Sequence, residues 1–80
     1  MKLVVHIVVD PKSLEEVCQN LSKLEEIKRV YEITGEYDVF TEVEVESVED
    51  FRRLLKEKIL KIAGVKLTES SIVLGVWKEE

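Results

Sequence analysis

The amino-acid sequence predicts an α+β fold, a βαββαβ sandwich in which two helices cover one face of a four-stranded antiparallel sheet. Two segments repeat apolar residues every three or four positions, which is typical of amphipathic helices. Four other segments alternate apolar and polar residues or are continuously β-branched, which is typical of strands. Their order along the chain is the ferredoxin-like plan, in which the first and third strands are central and the second and fourth lie at the edges.

The first predicted strand covers residues 2–9 and is apolar on both faces. Such a strand belongs in the middle of a sheet with both of its faces covered. We expect His6 within this strand to be a packed side chain rather than a catalyst. Asp10 and Pro11 then suit the start of a helix, and Ser13 offers an alternative start through a capping box.

The first predicted helix has about three turns and ends before Ile27. Its apolar stripe consists of Leu14, Val17, Cys18, Leu21 and Leu24. Since Cys18 is the only cysteine, it cannot form an internal disulfide, and we expect it to be a small buried side chain. No second cysteine or histidine stands at metal-ligand spacing, so we expect no metal site.

The next two strands, residues 27–33 and 39–45, are predicted to form a hairpin. Gly35 can adopt backbone angles that other residues avoid, so Gly35 and Glu36 are predicted to form a two-residue turn. The resulting register pairs Tyr31 with Phe40, and cross-strand partners share a face.

The hairpin register divides its side chains between the two sheet faces. Ile27, Tyr31, Ile33 and Phe40 are predicted to lie on one face, and Val30, Val39, Val43 and Val45 on the face that the helices cover. A chain of this length has no third layer to cover the first of these faces. An uncovered apolar surface marks an association site, so Tyr31, Ile33 and Phe40 are predicted to form a dimer interface.

The second predicted helix begins at the Ser47 cap and ends before Gly64, which suits a left-handed terminator. Its apolar stripe is Val48, Phe51, Leu54, Leu55, Ile59 and Ile62. The basic residues on its other side are interpreted as a solvated face. The last strand is predicted over residues 65–77, with Thr68, Ser70, Ile72, Leu74 and Val76 on one face, and with Trp77 at a subunit contact or over the sheet edge.

Length and charge exclude several classes of function. The 80 residues carry 12 basic and 17 acidic side chains, a net charge of −5 that argues against direct nucleic-acid binding. No apolar run is long enough to span a membrane, so we expect a cytoplasmic protein. The charged fraction of 36% is typical of proteins from thermophiles. A domain this small is only marginally stable alone, which favours an oligomer.

The polar turn carries the chemistry of a ligand site. Two outward-facing amides at Gly35 and Glu36 can bind a carboxylate, while Glu36 and Asp38 can bind an ammonium group. The phenol of Tyr37 stands between these carboxylates. The alternative is an ordinary turn, since Gly and Asp are common turn residues.

The residues of this turn, together with later segments, resemble the effector-binding RAM domain of the Lrp/AsnC (feast/famine) transcription regulators. The resemblance lies in residues 33–39, residues 47–51, Ile59, Gly64-Val65 and residues 68–74, and it extends over essentially the whole chain. It implies a homodimer joined through its sheets, a ring-like higher oligomer, and an amino-acid effector bound between dimers. It implies no cofactor.

The resemblance also implies which residues bind the effector. They are Thr34, Gly35, Glu36, Tyr37, Asp38, Thr68 and Ser70. By hypothesis the amides of Gly35 and Glu36 hold the effector carboxylate, and either Asp38 or Glu36 holds its ammonium. Thr68 or Ser70 then supplies hydroxyl hydrogen bonds.

One departure from the family concerns DNA. Full-length members carry an N-terminal helix-turn-helix domain, whereas this sequence begins at the first strand. We therefore expect a single RAM-type domain over residues 1–80 that does not bind DNA directly. Two roles stay open: a free amino-acid sensor, or a partner that co-assembles with full-length Lrp/AsnC regulators.

Other classes share the same fold plan. An ACT-like domain would also bind an amino acid at a subunit interface, and a small dimeric α/β-barrel enzyme would place an active site between sheet and helices. Against the enzyme, no acid and base stand at a plausible spacing, so we expect no catalytic residues. A purely structural oligomer is the remaining alternative.

Overall fold

The computed structural model describes all 80 residues, and its elements follow the predicted order. The strands are β1 (Lys2–Val9), β2 (Ile27–Glu32), β3 (Val39–Glu44) and β4 (Val65–Ile72), and the helices are α1 (Leu14–Ser22) and α2 (Val48–Glu57). Short 3-10 segments, Pro11–Ser13 and Ile59–Lys61, precede α1 and follow α2. The βαββαβ order predicted from the sequence is confirmed. No helix is long and apolar enough to cross a membrane.

The four strands form one antiparallel sheet in the order β2-β3-β1-β4. The prediction that β1 and β3 are central is therefore confirmed. β1 is bonded on both sides, because Ile7 pairs with Val39 of β3 and with Thr68 of β4. This central strand fixes the positions of the segments that flank it.

Burial alternates along β1 and shows which sheet face the helices cover. Leu3, Val5, Ile7 and Val9 are buried, whereas the residues between them are only half-buried. The buried core contains these four side chains and Val17, Leu21, Ile27, Val39, Val43, Val45, Phe51, Leu54 and Ile59. We call the opposite side of the sheet, which carries His6 and Phe40, the open face.

The prediction that Ile27 shares a face with Tyr31 is wrong. Ile27 is 7% exposed and belongs to the core, whereas Tyr31 is 43% exposed on the open face. Ile27 pairs with Val43 but Arg29 pairs with Glu42, so the register shifts between them. One extra residue in a strand reverses the alternation of its faces, and the shift therefore turns Ile27 toward the helices.

The helix starts follow local hydrogen bonding. The Asp10 side chain accepts a bond from the Lys12 N–H, whereas Ser13 makes no side-chain cap. The structure thus uses Asp10 rather than the alternative capping box. Ser47 caps α2 as predicted, because its Oγ accepts the Asp50 N–H at 3.1 Å. Val48, predicted on the apolar stripe of α2, is instead 53% exposed.

The prediction that α1 ends before Ile27 is confirmed, since α1 ends at Ser22 and a turn then leads to Ile27. Two other elements end earlier than predicted. α2 ends at Glu57 rather than just before Gly64, and the separate 3-10 segment Ile59–Lys61 follows it. β4 ends at Ile72 rather than at residue 77. Ile72 pairs with Leu3, and the Val73 N–H bonds to the carbonyl of Lys2, so β1 offers no further partner beyond this point.

Candidate functional site

The predicted ligand segment lies in the loop between β2 and β3. The Ile33 N–H donates to the Asp38 carbonyl at 2.9 Å, but the Asp38 N–H donates to the Ile7 carbonyl of β1 at 2.9 Å. The predicted two-residue turn is wrong, because a turn centred on Gly35 and Glu36 is closed by a backbone hydrogen bond between Thr34 and Tyr37, and the structure has none there. The first bond across the hairpin joins Ile33 to Asp38, so residues 34–37 form a four-residue loop. The predicted register of the hairpin is confirmed, since Tyr31 pairs with Phe40.

The tip of this loop is open to solvent. Thr34, Gly35 and Glu36 are exposed, and Gly35 has a φ of +109°. A Cβ added at Gly35 would meet nothing within 4 Å. The glycine is thus required for the backbone angle alone, and the space around it is free for a ligand or a second copy.

Asp38 has a structural contact within the chain. Its Oδ2 accepts a hydrogen bond from the Val9 N–H at 2.9 Å, which joins the loop to the end of β1. The contact uses one carboxylate oxygen and leaves Oδ1 for another donor. Asp38 can therefore hold the loop in place and still present negative charge to a ligand.

Tyr37 turns away from the loop tip and packs on the open face. Its ring centroid lies 5.0 Å from that of His6 with an interplanar angle of 51°. Its hydroxyl faces the carboxylate of Glu69. Hydrogen bonding to that carboxylate raises the pKa of the Tyr37 phenol, and burial and the negative charges of Glu69 and Glu36 raise this pKa further. Sequence reasoning missed His6 and Glu69 as neighbours of this loop.

The register across the sheet explains these neighbours. His6 pairs with Phe40 of β3 on one side and with Glu69 of β4 on the other. The predicted strand order places β1 beside both strands, but the exact pairing of β1 with β4 could not be read from the sequence. Tyr31 continues the row on β2, with its ring 5.9 Å from that of Phe40. We call Tyr31, Phe40, His6 and Glu69 the transverse row.

Thr68 and Ser70 lie on the opposite side of the sheet from Tyr37. They pair with Ile7 and Val5, whose side chains point to the helices. Thr68 is half-buried and Ser70 is exposed, because the helices leave the edge strand partly uncovered. Asp38 bonds to Ile7 from the β3 side of β1, and Thr68 pairs with Ile7 from the β4 side. The seven predicted site residues therefore do not converge on a single site within one chain.

The predicted dimer-interface residues share the open face. Tyr31 is 43% exposed and Ile33 is 36% exposed, while Phe40 is half-buried beneath its neighbours. No further layer of this chain lies over them. Their role in a dimer stays a prediction.

The surface shows no ligand cleft at the predicted residues. Each cleft is lined by residues outside the segment 34–38 and without Thr68 or Ser70. The cleft beside the start of α2, about 280 Å³ in volume, is lined mostly by charged side chains. No group of three or more His, Cys, Asp or Glu side chains is arranged to hold a metal ion.

A family model described as the Lrp/AsnC ligand binding domain matches residues 2–80. An uncharacterized HTH-type transcriptional regulator of Pyrococcus furiosus is 36% identical over 75 residues, which are 94% of this chain and 51% of that protein. The chain spans about half the length of the curated relatives it matches. A relative from Pyrococcus also agrees with the thermophilic composition.

Solved structures show the same fold. E. coli AsnC superposes with a TM-score of 0.94 at 26% identity, over 99% of this chain and 54% of that chain. A feast or famine regulatory protein from M. tuberculosis, complexed with L-methionine, superposes with a TM-score of 0.85 at 28% identity, over 99% of this chain and 53% of that chain. These similarities confirm the ferredoxin-like plan.

Proposed function

Because this chain belongs to the Lrp/AsnC ligand-binding domain family, we propose that it binds a free amino acid through the loop between β2 and β3. Its relatives are transcriptional regulators, so the chain is a regulatory ligand-binding domain rather than an enzyme. The observation that carries the proposal is the M. tuberculosis regulator, which is similar to this chain over 99% of its length and holds L-methionine.

The chemistry of the loop suits a zwitterion. The exposed amides of Gly35 and Glu36 bind the ligand carboxylate, and the left-handed backbone angle of Gly35 keeps a side chain from crowding them. Asp38 Oδ1 and the Glu36 carboxylate bind the ammonium group. A hydrogen bond between charged groups is about twice as strong as one between neutral groups.

The position of the loop favours a site shared between copies. Thr68 and Ser70 lie on the helix side of the sheet, away from Tyr37, and no cleft of a single chain includes the loop. We propose that the hydroxyls reach the ligand from another copy, in a homodimer joined through the open face and in a ring-like assembly of such dimers. Full-length Lrp/AsnC regulators are the natural heterologous partners of this assembly.

A thermal-shift screen against the standard amino acids tests the proposal. A ligand that binds only the folded state stabilises it, by about 2.7 kcal/mol at one hundred times its Kd. We expect one or a few amino acids to raise the melting temperature. If none does so at millimolar concentration, the proposed function is wrong and a purely structural oligomer takes its place.

Charge-neutralising variants test which residues carry the binding. Asp38→Asn keeps an acceptor for the Val9 N–H but removes the negative charge, and we expect amino-acid affinity to fall roughly tenfold or more. Glu36→Gln is expected to act in the same direction. Isothermal titration calorimetry measures both affinities.

The matched control is Glu32→Gln, an exposed carboxylate at the end of β2 outside the loop. We expect its affinity to equal that of the unmodified chain. Unchanged affinity in both Asp38→Asn and Glu36→Gln would contradict the assignment of the ammonium site.

A further inference from the structure

His6 lies within the transverse row and is the only histidine of the chain. Its ring packs against two others, with its centroid 5.0 Å from that of Tyr37 and 5.1 Å from that of Phe40. The Nδ1 atom of His6 is buried and has no hydrogen-bond partner within the chain. Buried polar atoms in folded proteins are nearly always paired, so this orphaned nitrogen beside the binding loop needs a physical reason.

Glu69 is the carboxylate that directly faces His6 across the sheet. The two residues are cross-strand partners of β4 and β1, and the Cβ atoms of such partners lie about 5 Å apart. Their diagonal neighbours on β4, Leu67 and Ser71, are uncharged. Glu69 makes no ion pair, and the Tyr37 hydroxyl faces its carboxylate. A carboxylate has two oxygens, so Glu69 can accept a second donor without releasing Tyr37.

The other acidic groups near His6 lie on its β3 side. Asp38 and Glu42 are two residues before and after Phe40, the β3 partner of His6, and share its face of the sheet. The remaining titratable groups are Glu36 in the loop, Tyr31 behind Phe40, and the two cations that pair with Glu42, namely Lys2 and Arg29. A positive charge on the His6 ring would therefore meet carboxylates on both flanking strands and no unpaired cation.

We propose that protonation of His6 holds the loop between β2 and β3 more firmly and so makes amino-acid binding depend on pH. Histidine is the side chain whose charge changes between about pH 5 and about pH 8. The charged ring is attracted to the rings of Tyr37 and Phe40 and to the carboxylate of Glu69, which the Tyr37 hydroxyl also faces. Tyr37 is the last residue of the loop, so these contacts restrain the loop.

The direction of the pH dependence follows from the form of His6 that makes these contacts. The protonated ring makes them and the neutral ring does not, so the restraint is complete below the titration range of His6 and is lost as pH rises through it. We therefore expect the loop to be better ordered, and the amino acid to bind more tightly, at about pH 5.5 than at about pH 7.5.

The effect on ligand binding rests on the proposed function, but the contact between His6 and the loop is measured without a ligand. The ring-proton signal of His6 and the backbone amide signals of Gly35 and Glu36 are followed by NMR from about pH 5 to about pH 8. Since the chain has one histidine, one ring signal reports its titration. We expect both amide signals to move with the same midpoint as the ring signal.

His6→Gln removes the titration but keeps a polar side chain at this position. In this variant we expect the amide signals of Gly35 and Glu36 to stay nearly constant over the same pH range. Amide signals that do not follow the His6 titration in the unmodified chain, or that move equally in the variant, would overturn the inference.

Glu69→Gln tests the acceptor of the charged ring. It keeps an acceptor for the Tyr37 hydroxyl but removes the negative charge that faces His6, so we expect the pH-dependent movement of the amide signals to fall by about half or more. The matched control is Glu46→Gln, an exposed carboxylate beyond β3 at the opposite end of the sheet, which should leave this movement unchanged. An undiminished movement in Glu69→Gln would overturn the role of Glu69.

Calorimetry with the amino acid that the thermal-shift screen identifies measures the effect on binding. We expect the affinity to be about fivefold higher at about pH 5.5 than at about pH 7.5, and we expect no such rise in His6→Gln. Sedimentation at both pH values should give the same mass, and a mass that changes with the His6 titration would overturn the inference by assigning the response to association.

Failure of the inference and failure of the proposed function give different results. A pH-independent affinity, with loop signals that follow His6, would overturn the link between the loop and binding. If no amino acid binds, the proposed function is wrong, and the NMR titration alone decides whether His6 restrains the loop.

Discussion

The Ile7→Ala variant is expected to lose a large part of the folding stability of this domain. The Ile7 side chain is fully buried at the centre of β1, between β3 and β4. Removing a buried isoleucine side chain costs about 2 to 5 kcal/mol, because contacts are lost and a cavity remains. The whole domain has roughly 5 to 15 kcal/mol of stability. Urea unfolding measures the loss, with both proteins at one fixed concentration because the apparent stability of any protein that dimerises depends on concentration.

Val8→Ala provides the control from the next position of the same strand. Val8 is half-buried on the open face, so fewer packing contacts are lost within the chain, and we expect a change in monomer stability of about 1 kcal/mol or less. If the open face forms the dimer, this variant weakens association instead. Equal losses of unfolding free energy in the two variants would contradict the assignment of the core to one sheet face.

The Gly64→Ala variant is also expected to lose a large part of the free energy of unfolding. Gly64 has a φ of +101°, and a Cβ there would lie 2.5 Å from Ser13 Cβ and 3.1 Å from Val17 Cγ2. Backbone strain of about 1 to 2 kcal/mol therefore adds to an overpacking cost of about 1 to 3 kcal/mol. The Gly64 carbonyl also accepts the Asp10 N–H at 2.8 Å, which joins the start of β4 to the segment before α1. Thermal and urea unfolding measure the effect.

Gly35→Ala separates the cost of backbone strain from the cost of overpacking. Gly35 has a similar φ of +109°, but a Cβ there meets nothing within 4 Å, so only the strain of about 1 to 2 kcal/mol is expected. A second substitution, Ser13→Gly, removes the obstructing Cβ and should recover part of the stability lost in Gly64→Ala. Equal losses at Gly64 and Gly35 would show that the contact with Ser13 relaxes without cost.

Much of the fold followed from patterns within short segments. The pairing of Tyr31 with Phe40 was predicted from a turn centred on Gly35 and Glu36, and it is correct because the wider loop of residues 34–37 has the same centre and keeps the register. The alternation of side chains along a strand misplaced Ile27, since a register shift within β2 reverses the faces on its far side. The end of β4 was misplaced because the apolar alternation continues to Val76, whereas the partner strand stops at Lys2.

The candidate site also combines features that local sequence patterns predict with features that depend on strand pairing. The residue types of the loop, with Gly35 at a backbone angle that favours glycine, could be recognised from the sequence. The neighbours of Tyr37 could not, because His6 and Glu69 meet it only through the pairing of β1 with its two flanking strands. The same pairing puts Thr68 on the helix side of the sheet.

By itself, the sequence determined the fold class, the order of the strands, the helix-covered face and the position of the loop between β2 and β3. These properties depend on periodicity and on backbone preferences, which act over a few residues. Only the tertiary structure decided that the Asp38 N–H bonds to β1, that Tyr37 lies on the open face, and that Trp77 is exposed to solvent. Those features depend on hydrogen bonds and packing between residues far apart in the chain, which no local pattern specifies.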